Sequence, residues 1–287
     1  MQNVAARRVT LPDIVVHMEE HMRVLVTGAA SGIGRATCLR LARDGKASGQ
    51  AAKVAAVDLG PSPGLDSLCG ELEALGAEAL PLHADMGEAK EPARVVADAV
   101  KAFGGLDGLV SNAGINRPGP LLSYTVEDWD RMFAVNTRAT WLLAQAAHPA
   151  LKAAHGAIVA TASMSGSNPH ANLGPYGPSK AAVIMLAQVL AQEFGPDGIR
   201  VNTISPGMVR TGMTEKAYAD ETIASQRNAL VPLGRVATPE DMADVIAFLL
   251  SPDARYINGH DLVVDGGVAG NFLGRRPGSH GSRGAER

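Results

Sequence analysis

The chain has 287 residues, of which 46% are hydrophobic and 19% charged, so it can bury a large core and is not disordered as a whole. Its formal net charge of −3 gives no general attraction to nucleic acid or to an anionic membrane, and we expect neither as a partner. There are only two cysteines, no apolar run of about 18 residues and no apolar signal segment after Arg7 and Arg8, so we expect a cytoplasmic protein without disulfides.

Short apolar segments alternate with amphipathic ones from residue 23 to residue 264. The apolar segments predict seven β-strands, at residues 23–27, 53–58, 79–83, 108–111, 156–161, 200–204 and 261–264. The segments between them predict helices at residues 33–45, 65–75, 92–103, 126–151, 180–194 and 239–250. Strands that are apolar throughout and separated by helices form parallel sheets covered on both faces. The predicted fold class is therefore α/β, a single doubly wound Rossmann-type domain with a seven-stranded parallel sheet.

The domain organisation follows from the continuity of this alternation. The length alone favours about two domains, but no linker rich in Pro, Ser or Gly interrupts the pattern. We predict one domain over residues 22–268, an N-terminal extension over residues 1–21 and a polar, disordered C-terminal tail over residues 269–287. Because Met22 directly precedes the first strand, we expect the extension to be dispensable for activity. Residues 47–52 (ASGQAA) predict extra loop before the second strand.

A Gly-rich turn, TGAASGIG at residues 27–34, follows the first predicted strand. Its glycines at 28, 32 and 34 allow the backbone to approach a phosphate and to begin a helix whose first N–H groups face that phosphate. The spacing is neither a plain G-x-G-x-x-G nor a Walker A motif. A purely structural tight turn explains such a loop equally well, but its position between a buried strand and an amphipathic helix favours dinucleotide binding.

Asp58 ends the second predicted strand, 24 residues after Gly34. A carboxylate at this position accepts hydrogen bonds from the ribose hydroxyls of an adenosine and repels a 2′-phosphate, although an ordinary strand-end turn residue is the alternative. Arg35, the nearest basic residue, falls within the helix, where we expect it to face solvent. We therefore predict NAD as cofactor, with NADP as the less favoured alternative.

Tyr176 and Lys180 lie four residues apart at the start of a predicted helix and so share one face. A free tyrosine has a pKa of about 10, and a neighbouring cation favours its phenolate form. A lone Y-x-x-x-K pair is equally compatible with a solvated surface pair. Ser163, however, follows the fifth strand at the edge of the sheet where this fold class binds ligands. The three residues together predict an active site for proton transfer.

Several segments in this order resemble the short-chain dehydrogenase/reductase family over residues 22–268. They are TGAASGIG at 27–34, SNAG at 111–114, Asn136, Ser163, YGPSK at 176–180, SPG at 205–207 and DGG at 265–267. The resemblance implies that Tyr176 is the general acid/base and that Ser163 hydrogen-bonds the substrate oxygen. It further implies that Lys180 holds ribose hydroxyls and tunes Tyr176, and that Asn136 positions a water linking Lys180 to solvent. Ser111, where the family often has Asn, is the one departure.

The same resemblance implies the contacts of the cofactor. The residues that it assigns to cofactor binding are Gly28, Ser31, Gly32, Ile33, Gly34, Asp58, Asp85, Met86, Asn112, Ala113, Gly114, Tyr176, Lys180, Pro206, Gly207, Val209 and Thr211. Among these, Asp85 and Met86 flank the adenine, whereas Val209 and Thr211 meet the nicotinamide amide and the phosphates. Hydride transfer of this kind needs no metal. His17 and His21 have a ligand-like spacing but no third ligand nearby, so we expect no metal site.

The predicted function is that of an oxidoreductase that transfers a hydride between NAD and a secondary alcohol or its ketone. The alternatives are an NADPH-dependent ketone reductase and, since a fold does not fix function, a non-catalytic dinucleotide-binding scaffold. Asn168, His170 and Asn172 in the segment 164–173 suggest a polar substrate such as a polyol, sugar or hydroxy acid, although a solvated loop has the same composition. Residues 208–230 predict a mobile lid.

Self-association is also expected. The resemblance implies a homo-oligomer, with a tetramer favoured, built from the helices at 126–151 and 180–194 and from the C-terminal region. Both helices are rich in Ala and aliphatic residues, a composition that suits close helix contacts.

Overall fold

A computed structural model of the chain describes residues 22–212 and 220–271. Its centre is one seven-stranded sheet with the order β3-β2-β1-β4-β5-β6-β7, in which every neighbouring pair is parallel. The strands are β1 Arg23–Thr27, β2 Lys53–Asp58, β3 Glu78–His83, β4 Gly108–Ser111, β5 Ala157–Thr161, β6 Arg200–Pro206 and β7 Asp261–Val264. The chain builds outward from β1 to β3, then crosses back to β4 and builds in the other direction. The predicted doubly wound α/β fold is therefore confirmed.

Helices connect the strands. The α-helices are α1 Gly32–Ser48, α2 Pro63–Ala74, α3 Glu91–Phe103, α4 Val126–Phe133, α5 Ala139–Ala154, α6 Met164–Ser167, α7 Tyr176–Phe194, α8 Glu221–Leu230 and α9 Pro239–Leu250. Short 3₁₀ turns occupy Leu121–Ser123, Gly195–Asp197 and Pro252–Ala254, and a π-helical turn occupies Ala134–Arg138. No helix within the described ranges has the length and apolar character that crossing a bilayer requires.

Three of the predicted helices differ from the sequence-based expectation, and α6 and α8 lie in segments where no helix is predicted. Helix α1 continues to Ser48, so part of the loop predicted at 47–52 is helical, and Gly49 ends the helix in the left-handed conformation (φ 74°). The predicted single helix 126–151 is divided by the π turn into α4 and α5. Helix α7 starts at Tyr176, four residues earlier than predicted, because Pro178 falls in the first turn, where a missing N–H costs no hydrogen bond.

The core lies on both faces of the sheet. Successive side chains of a strand point to opposite faces, and in β1 Val24 and Val26 join one apolar cluster while Leu25 joins the other; all three are fully buried. The first cluster packs against α1, α2 and α9, and the second against α3, α5 and α7. The segments that follow the carboxyl ends of the strands are consequently left free at one edge of the sheet to form a binding cleft.

Candidate active site

A cavity of about 720 Å³ opens at the carboxyl edge of the sheet. Most residues predicted to bind the cofactor or to act on the substrate line it: Gly28, Ser31, Gly32, Ile33, Asp58, Asp85, Met86, Asn112, Ala113, Gly114, Ser163, Tyr176, Lys180, Pro206, Gly207, Val209 and Thr211. Gly34 and Asn136 do not line it. The structure therefore brings the Gly-rich turn and the Ser-Tyr-Lys group into one cavity.

The glycines of the turn are required for two different structural reasons. Gly28 and Gly32 have φ angles of 68° and 55°, a region that favours glycine, and both line the cavity. Gly34 lies behind them, and a Cβ atom there would fall 2.1 Å from the carbonyl oxygen of Gly28. Gly34, which the resemblance assigns to cofactor binding, does not line the cavity. Its lack of a side chain lets the first turn of α1 pack against the loop that does.

Thr27 holds the Gly-rich turn to the segment after β4. Its fully buried Oγ1 accepts hydrogen bonds from the backbone N–H groups of Asn112 and Ala113, both at 3.0 Å. The Asn112 Nδ2 donates back to the Thr27 carbonyl at 3.0 Å, and Thr161 Oγ1 donates to Asn112 Oδ1 at 3.1 Å. Asn112 thus fixes the ends of β1, β4 and β5 relative to one another, in addition to lining the cavity.

Asp58 lies at the end of β2 and faces the cavity. One carboxylate oxygen accepts from the backbone N–H of Ala30 in the Gly-rich turn, and the other accepts from the N–H of Leu59, both at 2.8 Å. Arg35 forms an ion pair with Glu71 at 2.5 Å on the surface and does not line the cavity. This part of the cavity therefore presents a fixed carboxylate next to the Gly-rich turn.

Arg131 is a cavity residue that the sequence did not single out. Its guanidinium donates to both carboxylate oxygens of Asp85, at 2.8 and 2.9 Å, and Asp85 also accepts from the N–H of Gly87 at 2.8 Å. Burial alone would raise the pKa of Asp85, but these hydrogen bonds outweigh it and hold that pKa below its ordinary value. Asp85 is thus held as an anion, and only the fold brings Arg131 to it.

Tyr176, Ser163 and Lys180 converge at the other end of the cavity. Tyr176 begins α7, and the Lys180 Nζ one turn later lies 5.9 Å from the centre of its ring. Burial raises the pKa of Tyr176, while a hydrogen bond with Ser163 acts in the opposite direction. From the sequence we expect the Lys180 cation to lower the pKa of Tyr176, but in the ligand-free protein burial has the larger effect and raises it.

Lys180 is buried and donates to the carbonyl oxygen of Thr161 at 2.7 Å. Burial lowers the pKa of its ammonium group from 10.5 to about 8. A buried amine needs polar partners, and the Thr161 carbonyl oxygen is one of them.

Asn136 lies in the π turn between α4 and α5, beside Lys180 but not on the cavity wall. Its Nδ2 donates to the Ile115 carbonyl and to Ser179 Oγ, each at 3.0 Å, and its Oδ1 accepts from the Ile115 N–H at 2.8 Å. A Cβ atom on Gly114 would lie 3.3 Å from both Asn136 Oδ1 and Lys180 Nζ. Asn136 thus positions the segment after β4 against α7, and π turns are often found at such sites.

Three further segments line the cavity. Their lining residues are Ile115 and Asn116 after β4, Met164, Ser165, His170, Ala171 and Leu173 after β5, and Met208, Gly212 and Arg227 from the predicted lid. Of the three polar residues predicted for this wall only His170 lines the cavity, because the Asn168 side chain turns back to the Met164 carbonyl and Asn172 lies outside. The predicted lid contains α8, and its residues 213–219 lie outside the described part of the chain.

No group of three His, Cys, Asp or Glu side chains that could hold a metal occurs within residues 22–212 and 220–271. His17 and His21, the pair considered from the sequence, lie outside these ranges.

The chain is similar in sequence to known protein families and in fold to solved structures. The family model described as Enoyl-(Acyl carrier protein) reductase matches residues 28–269. The chain is 38% identical over 244 residues to 2,5-dichloro-2,5-cyclohexadiene-1,4-diol dehydrogenase LinX of Sphingobium indicum, covering 85% of this chain and 94% of that one. It is 41% identical over 255 residues to the (3R)-3-hydroxyacyl-CoA dehydrogenase of Rattus norvegicus, with coverages of 85% and 95%.

Among solved structures, a short chain dehydrogenase from Burkholderia cenocepacia in complex with NADP superimposes with a TM-score of 0.78 at 36% identity. The superposition covers 86% of this chain and 98% of the Burkholderia cenocepacia chain. The family model spans residues 28–269 and therefore includes every residue that lines the cavity. The chain therefore belongs to the short-chain dehydrogenase/reductase family.

Proposed function

We propose that the chain catalyses reversible hydride transfer between NAD and a secondary alcohol or its ketone. As a family member it is an oxidoreductase of CH–OH groups that uses a nicotinamide dinucleotide. The observation that carries the finer proposal is that Ser163, Tyr176 and Lys180 share one cavity with a Gly-rich helix start and with Asp58.

The residues of the cavity fit a dinucleotide. Gly28, Ser31 and Gly32 stand at the start of α1, where free N–H groups and the helix dipole favour a pyrophosphate. Asp58 and Asp85 are suited to the adenosine end, and Lys180 to the ribose hydroxyls of the reacting end. When bound, the nicotinamide ring supplies the hydride acceptor or donor.

The chain's own residues would handle the proton and the substrate oxygen. Tyr176 takes the hydroxyl proton during oxidation and returns it to the carbonyl oxygen during reduction. Ser163, which shares a hydrogen bond with Tyr176, holds the same substrate oxygen in place. Since burial raises the pKa of Tyr176, its neutral form prevails near neutral pH, which favours proton donation to a ketone. Alcohol oxidation is therefore expected to accelerate as the pH rises.

Replacing Tyr176 by Phe tests this mechanism. The variant loses the proton-transferring hydroxyl and is expected to lose roughly 100- to 10,000-fold in kcat, the range typical of one acid/base group. Its affinity for NADH, measured by fluorescence titration, should change less than threefold. A Tyr176→Phe enzyme with near-normal turnover would refute the assignment.

The preference for NAD rests on Asp58. Its carboxylate is fixed by two backbone N–H groups and would repel a 2′-phosphate. We expect initial rates to give a kcat/KM at least tenfold higher with NAD than with NADP, and Asp58→Asn to reduce that ratio. A wild-type preference for NADPH would favour the ketone reductase alternative, in keeping with the NADP complex of the Burkholderia cenocepacia relative.

We also propose that the chain forms a homotetramer. Two separate exposed apolar patches support it: Trp141, Met185 and Val189 on α5 and α7, and Phe248, Tyr256 and Val263 near α9 and β7. Two distinct self-complementary patches on one chain are what a tetramer with dihedral symmetry requires. Light scattering of the purified protein tests this, and a monomeric mass at micromolar concentration would exclude it.

A further inference from the structure

Asn116 carries a buried polar atom that the protein itself does not satisfy. Within the described residues its Oδ1 is buried and accepts no hydrogen bond, and its side chain lines the same cavity as Ser163 and Tyr176. An unsatisfied buried acceptor is rare in proteins because it forfeits its hydrogen bonds to water. An acceptor of this kind on a substrate wall is well suited to a donor group on the substrate.

His170 is a second polar group at the same end of the cavity. Its Nδ1 shares a hydrogen bond of 2.8 Å with Ser165 Oγ, and the backbone N–H of Ser165 donates to Ser163 Oγ at 3.1 Å. The imidazole is thus tied through one residue to the serine that faces the reacting oxygen. Its other ring nitrogen, Nε2, makes no hydrogen bond within the described part of the chain.

The two loops that carry these side chains are joined to each other. The N–H of Gly119, three residues after Asn116, donates to the Asn172 carbonyl at 2.9 Å, and Gly119 pairs with Leu173 in an isolated β-bridge. Asn116 and His170 are therefore held by connected backbone at fixed places relative to Ser163. Around them the lining is apolar, with Ile115, Met164 and Leu173.

We propose that Asn116 and His170 bind a second hydroxyl group of the substrate, so that the enzyme acts on diols and polyols rather than on simple alcohols. A hydroxyl group can donate to Asn116 Oδ1 and accept from or donate to an imidazole nitrogen. The apolar lining contacts the carbon skeleton between the two hydroxyls. This inference rests on the proposed function, in which Ser163 and Tyr176 hold the reacting hydroxyl.

The test compares alcohols that differ only in the second hydroxyl: cyclohexanol with 1,2- and 1,4-cyclohexanediol, and 2-butanol with 2,3-butanediol. Each is assayed for NADH and NADPH formation. We expect kcat/KM to be at least roughly 100-fold higher for a diol than for its mono-alcohol, since a site built for a hydroxyl rejects the analogue that lacks it. A second readout, stabilisation of the NADH complex by each compound in thermal unfolding, reports binding without turnover.

Variants assign the preference to the two residues. Asn116→Leu removes the acceptor at similar size and should lower diol kcat/KM roughly 10- to 100-fold, with less than a threefold change for the mono-alcohol. Asn116→Asp keeps an acceptor oxygen and should retain the diol preference. His170→Phe is expected to reduce the preference, whereas His83→Phe, a matched exposed histidine outside the cavity, should not.

The outcomes separate this inference from the proposed function. Equal activity on mono-alcohols and diols, unchanged in Asn116→Leu, would overturn the inference and leave the hydride transfer intact. A stronger preference for 2-hydroxybutyrate than for the butanediol would also overturn it, pointing to Arg227 on the same wall and to a carboxylate substrate. No turnover of any alcohol or ketone by protein that binds NADH would reject the proposed function, and the inference with it.

Discussion

Lys180 allows a direct test of how burial affects the site, because burial lowers the pKa of its ammonium group. Its Nζ lies within the fold, donates to the Thr161 carbonyl and forms no ion pair within residues 22–212 and 220–271. The physical consequence is that the charged ammonium group costs folding free energy at neutral pH. Replacement by Met, which has similar length and no charge, should therefore remove that cost together with the activity.

The magnitude follows from the pKa. The ammonium group has a pKa of 10.5 in the unfolded chain and about 8 in the folded protein. At about 1.4 kcal/mol per pKa unit, the charged form destabilises the fold by about 3 kcal/mol below pH 8. Because the folded pKa is the lower one, the unfolded state binds more protons between pH 8 and 10.5, and stability is regained as pH rises through this window. By pH 9.5 about 2 kcal/mol should have returned.

Urea unfolding of the ligand-free protein, followed by circular dichroism at pH 7 and 9.5, measures this directly. The free energy of unfolding of wild type, taken relative to Lys180→Met, should rise by about 2 kcal/mol between the two values. Loss of the hydrogen bond to Thr161 affects both pH values and largely cancels. Lys101→Met is the control, since Lys101 is exposed. A difference that does not change with pH would refute the argument that burial, uncompensated by an ion pair, governs Lys180.

Three further predictions concern the scaffold of the site. Thr27→Val keeps the shape but leaves the partly buried backbone N–H groups of Asn112 and Ala113 without their acceptor, and should lower the unfolding free energy by about 1–3 kcal/mol in urea titrations. Gly34→Ala places a Cβ 2.1 Å from the Gly28 carbonyl oxygen and should weaken NADH binding at least tenfold in fluorescence titrations. Removing residues 1–21 should leave kcat within twofold in steady-state assays, because every cavity residue lies between Gly28 and Arg227.

The sheet could be predicted from the sequence because strands buried on both faces are apolar throughout. The bounds of β1, β2, β4 and β7 match the expected ones, and β6 runs two residues longer. The division of the helix at 126–151 could not be predicted. A π turn adds a single residue to one turn, and its effect on the apolar period is too small to recognise within the predicted helix. Asn136 could be chosen as a site residue, but not its hydrogen bonds to Ile115 and Ser179.

The sequence predicts those cavity residues that belong to short motifs with a defined local backbone. It does not predict the residues that tertiary contacts bring to the cavity. The Gly-rich turn and the Tyr176–Lys180 pair are recognised from local sequence. Gly28, Gly32, Tyr176 and Lys180 line the cavity, whereas Gly34 does not. Asn116 and Arg131 have no local signal, because one depends on how the loop after β4 folds and the other on Asp85, 46 residues away. The pKa of Tyr176 is likewise set by burial, which the spacing of two residues does not reveal.

Lys180 and Asn116 together suggest where this domain gives up stability for function. One is a buried cation without a counter-ion in the described chain, the other a buried acceptor without a donor, and both lie on the wall of one cavity. The apolar clusters on the two faces of the sheet hold the fold without either residue. Apolar replacements at both positions should therefore stabilise the ligand-free protein while impairing turnover, the opposite of what residues retained for folding would show. Since each residue would be satisfied by hydroxyl groups, those of a ribose for Lys180 and of a substrate for Asn116, the same substitutions should reduce the stabilisation that cofactor and diol confer.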